Sequence, residues 1–165
     1  MQTKVRLVAG VVSALLLAIG VVSCDDDDDI TGVGDATYTA TLNAANEVGT
    51  GSNVTGTGTV VFVDRGTSID WTMNITNLTG ITQSHIHGPA AAGANASVII
   101  NLFMPNGPTG TVNGEVARGT ITDANNASVS LDALRVMFNA GTSYANVHNS
   151  AFGGGAIRGQ IIRSN

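Results

Sequence analysis

Tyr38, Ala40 and Leu42 alternate with Thr39, Thr41 and Asn43, and that period of two predicts a half-buried strand. Thr59–Asp64 is a short apolar run and predicts a strand buried on both faces. Asp64-Arg65-Gly66 reads as a turn. Beyond it Ile69, Trp71, Met73 and Ile75 alternate with Asp70, Thr72 and Asn74, so the two segments should form a hairpin. Asn77–Gly80 predicts a second turn. Further strands are expected at Gln83–His87, Ser97–Phe103, Val112–Thr122, Ser143–His148 and Ala156–Ile162. Loops are expected at Asn43–Gly58, from Gly88-Pro89 onward and at Pro105–Gly110.

One segment breaks this period. Leu131, Leu134 and Phe138 fall at i, i+3 and i+7, on one face of a helix. Ser130 can cap its start, Asp132 suits its first turn and Gly141 can end it. Many short antiparallel strands with Gly-rich turns predict an all-β fold, an antiparallel sandwich or barrel, with one short helix near 130–140.

The chain before Ala36 is different. Lys4 and Arg6 precede an apolar stretch, Leu7–Val22, which is the order of an export signal and short for a membrane span. Val21-Val22-Ser23-Cys24 resembles the bacterial lipobox. The resemblance implies a signal peptide over 1–23, cleavage before Cys24 and lipid on its thiol. Each buried methylene contributes about 0.8 kcal/mol, so two or three acyl chains hold firmly. Asp25–Asp29 is an unbroken acidic run that repels itself and stays hydrated. Residues 24–35 therefore read as a lipidated cysteine and an acidic tether. The run also resembles an export signal that carries some bacterial lipoproteins to the outer-membrane surface. In other bacteria, aspartate at this place resembles an inner-membrane retention signal. Both keep the domain extracytoplasmic, in the cell envelope.

Composition narrows the function classes. Without Lys4 and Arg6 the chain has five arginines, no lysine and twelve acidic residues, five of them in the Asp25–Asp29 run. No basic face exists to hold nucleic acid. Cys24 is the only cysteine, so no intrachain disulfide forms. Residues 36–163 suffice for one domain with a core of its own.

Four segments are together distinctive: Leu42-Asn43-Ala44-Ala45-Asn46-Glu47-Val48, His85-Ile86-His87-Gly88, Tyr144-Ala145-Asn146-Val147-His148 and Gly155-Ala156-Ile157-Arg158-Gly159-Gln160. In order and spacing they resemble the CHRD domain, named after chordin, over about Tyr38 to Ile161. The resemblance implies an extracytoplasmic β fold and no defined biochemical activity. Two segments depart from the family pattern. Gly49 and Thr50 stand where prolines are common, and Ala156 stands where glutamate is common, so no carboxylate role carries over there.

All three histidines lie in these segments. His85 and His87 are two apart, so on a strand they share a face, with Cα atoms roughly 6–7 Å apart. Such a pair can converge on zinc or copper. Ala145 and Val147 are apolar and should point inward, leaving Tyr144, Asn146 and His148 on the other face. By the same alternation Ile157 and Ile161 separate from Arg158 and Gln160. The simplest assembly gathers His85, His87, His148, Tyr144, Asn146, Arg158 and Gln160 on one polar face, with Glu47 joining from its loop. One reading is a metal or small-anion site: three imidazoles and Glu47 around the ion, with Asn146 or Gln160 behind them. The other is a hydrogen-bonded cluster that sets strand register or faces a partner protein. Arg158 favours the second, since a cation opposes a metal ion.

Enzyme signals are absent. No Gly-x-Ser-x-Gly elbow occurs, and no Asp completes a triad with Ser84 or Ser150. Asp64 and Asp70 bracket the hairpin and read as turn and surface residues. The sequence thus predicts a lipid-anchored binding or structural module of the envelope, with a zinc- or copper-binding protein as the alternative. Its partners are the membrane and an envelope or extracellular protein.

Overall fold

A computed structural model of the chain describes residues 35–49, 52–126 and 128–165. The expected signal segment, Cys24 and the tether up to residue 34 lie outside the described residues. Among the described residues no helix is long and apolar enough to cross a membrane.

Eight strands build the domain: β1 (Thr37–Leu42), β2 (Thr57–Asp64), β3 (Ile69–Thr79), β4 (Ile81–His87), β5 (Val98–Phe103), β6 (Thr111–Ile121), β7 (Tyr144–Asn149) and β8 (Ile157–Arg163). One helix, α1 (Leu131–Ala140), lies between β6 and β7 in the chain. The strands pair antiparallel in the order β5-β4-β7-β8-β1-β2-β3-β6. The edge strands β5 and β6 return close to each other without pairing, so the sheet is a nearly closed barrel. A cleft of about 360 Å³ marks the seam, lined by Trp71, Val98, Ile100, Gly119 and Ile121 among others.

The period of two fills the barrel. Tyr38, Ala40 and Leu42 of β1, Val60 and Phe62 of β2, and Ile69, Trp71, Met73 and Ile75 of β3 are all buried. β2 differs from expectation on its other face, where Val61 and Val63 are only half-buried. Their cross-strand neighbours there are Thr39 and Thr72, and Thr37 and Asp70, so that face belongs to solvent. Asn77–Gly80 is not a four-residue turn either. β3 continues to Thr79, and Asn77, at φ 53°, makes a bulge where the register to β6 shifts. A short polar side chain tolerates that conformation, so the same residue signals a bulge or a turn.

α1 forms as its sequence predicts. Ser130 Oγ accepts the Ala133 N–H at 3.2 Å, and Gly141 ends the helix at φ 62°. Phe138 packs between Tyr38 and Phe62, with ring centroids at 5.2 and 5.1 Å. Arg135 ties the helix to the β2–β3 turn. Its guanidinium donates to Asp64 Oδ2 at 2.7 Å and to Oδ1 at 3.0 Å. Asp64 also accepts the Gly66 N–H at 2.9 Å. It is therefore a buried anchor, 3% exposed, rather than a plain turn residue.

The Arg135 hydrogen bonds, more than the Gly66 N–H, hold the Asp64 carboxyl below its usual range against the opposing effect of burial. A depressed carboxyl stabilises the fold fully above its unfolded value and loses that contribution as pH falls through the folded one. Asp64→Asn should thus cost about 2 kcal/mol at pH 7, the worth of charge-assisted bonds. The gap to the wild type should shrink at pH 3. Urea titrations at both values measure this, and an equal gap at both would contradict it.

Candidate functional site

The outer face of β4, β7 and β8 is polar, yet it is buried. Register sets its rows. His87 lies opposite Tyr144, and Tyr144 opposite Gln160; His85 lies opposite Asn146, and Asn146 opposite Arg158; Gln83 lies opposite His148. Ala145, Val147, Ile157 and Ile161 point the other way, into the core. Of the polar set His85, His87, Tyr144, Asn146, His148 and Arg158 are all buried.

Three loops cover this face, and hydrogen bonds to it hold them there. Arg158 donates to Asn95 Oδ1 at 2.9 Å and to the Ala94 carbonyl at 2.6 Å. Gln160 donates to the carbonyls of Ala90 and Gly141. The Tyr144 hydroxyl accepts the Ala96 N–H at 3.2 Å. Together they pin the loop 88–97. The turn at 44–48 is held by backbone pairing of Asn43 with Arg158 and by Asn46 Nδ2 on the Arg158 carbonyl. The loop 150–155 is held by His148, whose Nδ1 meets the Gly153 carbonyl at 3.0 Å.

The three imidazoles converge. One ring nitrogen from each lies within 4.8 Å of the other two. His85 Nδ1 and His148 Nε2 are 3.1 Å apart. His87 Nδ1 meets the Ala96 carbonyl at 3.0 Å. A carbonyl only accepts, so Nδ1 carries the proton in both His87 and His148, and each Nε2 presents a lone pair. His87 Nε2 is buried and has no hydrogen-bond partner. Burial pushes all three histidines down, His85 to about 4 with help from its two neighbours, so they are neutral near pH 7.

Arg158 lies on the same face as the histidines, but a ring intervenes. Tyr144 stacks on His87, with centroids 4.8 Å apart and planes 2° apart, and the Arg158 guanidinium lies 3.3 Å from the Tyr144 centroid. β4 and β8 flank β7 on opposite sides, so the order is histidine, tyrosine, arginine.

Glu47 does not join the histidines. Its carboxylate accepts from Asn146 Nδ2 at 3.4 Å, and Glu47 Oε1 and Asn146 Oδ1 are buried without partners. Burial raises the Glu47 carboxyl to about 7, although Arg158 and the Asn146 bond pull it down. Gly155, at φ 143°, makes room for it, since a Cβ there would stand 2.5 Å from Glu47 Oε2. A cavity of about 300 Å³ opens beside Glu47 and Arg158, between the 44–48 turn and the loop 88–97. Gln160 is likewise a loop holder rather than a support for the histidines. The backbone carbonyls of Ala94, Ala96 and Gly153 carry much of the site, and no side-chain pattern announces them.

A nearly closed antiparallel barrel with one loop-covered polar face defines a β module of the binding or structural kind. The chain belongs to the CHRD family: the family model of the CHRD domain matches residues 38–161. The matched residues include every side chain of the face just described. A comparison with curated proteins gives no match.

Proposed function

We propose that this protein is a lipid-anchored, extracytoplasmic module of the bacterial envelope, whose loop-covered face of β4, β7 and β8 binds an envelope or extracellular protein. One observation carries the reading. A buried arginine, 1% exposed, gives its guanidinium to the largely exposed loop 88–97. Burying a charge to fix a loop suits a surface that must present one shape, because ordering on binding costs affinity. The lipobox-like Cys24 and the acidic run behind it support the anchor, and the absence of lysine after residue 4 argues against a nucleic-acid partner.

The anchor is tested by labelling growing cells with radioactive palmitate. The wild-type protein should carry label and sediment with membranes, and Cys24→Ser should lose the label and become soluble. Unlabelled wild-type protein would end the anchored reading. The surface is tested with a photo-crosslinker at Ala92, in the loop 88–97, against one at Arg118, on β6. A discrete adduct should form from Ala92 alone; equal yields from both positions would move the binding surface elsewhere.

A further inference from the structure

The geometry points to a single-ion site for Cu2+ or Zn2+ at His85, His87 and His148, beneath the loops of the face proposed above to bind a partner and argued independently of that reading. Four observations support it. First, the trio comes from two adjacent strands, β4 and β7, whose register is fixed by the barrel, so the nitrogens converge without any loop having to close. Second, the spacing suits an ion. Two nitrogens on one tetrahedral zinc stand about 3.3 Å apart, given bonds of about 2.0–2.1 Å. His85 Nδ1 and His148 Nε2 are at 3.1 Å, and the third nitrogen lies no farther than 4.8 Å. Third, the outer nitrogens of His87 and His148 already donate to the carbonyls of Ala96 and Gly153. Metal-bound histidines almost always make such a bond, which fixes the tautomer and aims the other nitrogen. Fourth, His87 Nε2 is buried and unpartnered. A purely hydrogen-bonded cluster leaves that atom unexplained, because a buried polar atom without a partner costs about 1–3 kcal/mol. An ion explains it.

Proton accounting is simple. In the metal-free trio the His148 Nε2 lone pair accepts, so the proton between the two rings sits on His85 Nδ1. Binding requires the Nδ1 lone pair, so that proton moves to His85 Nε2 and none is released overall. Three protein nitrogens leave a fourth position for water or an anion. Calcium and magnesium are excluded by the ligand type, since both require oxygen. Copper should bind more tightly than zinc, as it does at nitrogen sites generally. The positive ion is tolerated because the Tyr144 ring lies between His87 and the Arg158 guanidinium.

The test uses the full-length protein in detergent, without a histidine tag, stripped with a chelator. Zn2+ and Cu2+ are then titrated separately against a chromophoric chelator of micromolar affinity. One ion per chain should be taken from the chelator in each case. The electron paramagnetic resonance spectrum of the copper form should show coupling to imidazole nitrogens. His87→Phe, which keeps a ring stacked on Tyr144, and His148→Phe should each weaken binding by about 100-fold or more, a first-ligand loss exceeding the effect of outer partners. Circular dichroism confirms that the variants fold; should they not, the wild-type stoichiometry and nitrogen coupling decide. Failure to compete with the chelator, a copper spectrum without nitrogen coupling, or undiminished binding in folded variants would overturn the proposal. The palmitate and crosslinking results are independent of each of these outcomes.

Discussion

Gly159→Ala should destabilise the domain by about 3 kcal/mol or more, at the upper end for overpacking, and lower its melting temperature by roughly 10 °C. β1 pairs with β8 beside this point. A Cβ on Gly159 would stand 2.3 Å from the Thr41 carbonyl oxygen, 2.6 Å from its carbon and 3.0 Å from its nitrogen. All three atoms are backbone, so no rotamer change relieves the clash. Thr41 cannot retreat freely, because Ala40 is paired with Ile161 on one side and Val60 on the other. Moving it would also strain the backbone bonds between Asn43 and Arg158, which set the 44–48 turn over the polar face. Two other glycines calibrate the expectation. At Gly119 the atoms nearest an added Cβ belong to the Trp71 ring, at 2.9 Å beside the open seam, so the loss should be smaller. At Gly110 nothing lies within 4 Å and the change should be within about 0.5 kcal/mol of neutral. Thermal melts of the three variants rank them. A Gly159→Ala protein as stable as Gly110→Ala would show that β1 and β8 can separate at little cost.

That close approach is invisible in the sequence, and the reason is general. Alternation is local, so Tyr38–Leu42 and Ile69–Ile75 announce their buried faces, and Ser130, Leu134 and Gly141 announce a capped helix. The same local rule puts the histidines, Tyr144, Asn146, Arg158 and Gln160 on one face, and the structure places them so. Pairing order is not local. Nothing in the alternation chooses barrel over sandwich, since that depends on β8 joining β1 to β7. The loop 88–97 is equally silent, because it acts through the carbonyls of Ala90, Ala94 and Ala96, and an Ala/Gly stretch has no side-chain signature. Glu47 is the instructive case. Its charge suggests a place among the histidines, whereas register puts Asn146 in between and leaves the carboxyl buried beside Arg158.

The charge of Arg158, felt by Glu47 across their shared cavity, should make the cost of losing Arg158 depend on pH. Arg158→Leu keeps an apolar side chain but removes a cation–π contact worth about 0.5–2 kcal/mol and two charge-assisted hydrogen bonds to the loop 88–97. About 3 kcal/mol should be lost at pH 5, where Glu47 is mostly protonated in the fold. At pH 8 the loss should be larger. The Glu47 carboxyl titrates near 7 in the fold against 4.5 ordinarily. Between those values the native state binds more protons than the unfolded chain, so this group makes stability fall as pH rises. Arg158 opposes that effect; without it the carboxyl titrates still higher and the penalty extends above pH 7. Glu47→Gln should remove the penalty, stabilising the wild type at pH 8 by about 1–2 kcal/mol, a figure reduced for partial exposure, with little change at pH 5. In the double variant it should rescue part of the Arg158→Leu loss at pH 8 and almost none at pH 5. His87 also feels the Arg158 charge, so its titration changes with Arg158→Leu but cancels in the two comparisons that change Glu47 alone. Urea unfolding of the four proteins at both pH values gives the coupling directly. A loss for Arg158→Leu that is equal at pH 5 and pH 8 would mean that Arg158 acts on the loop alone and that Glu47 does not sense its charge.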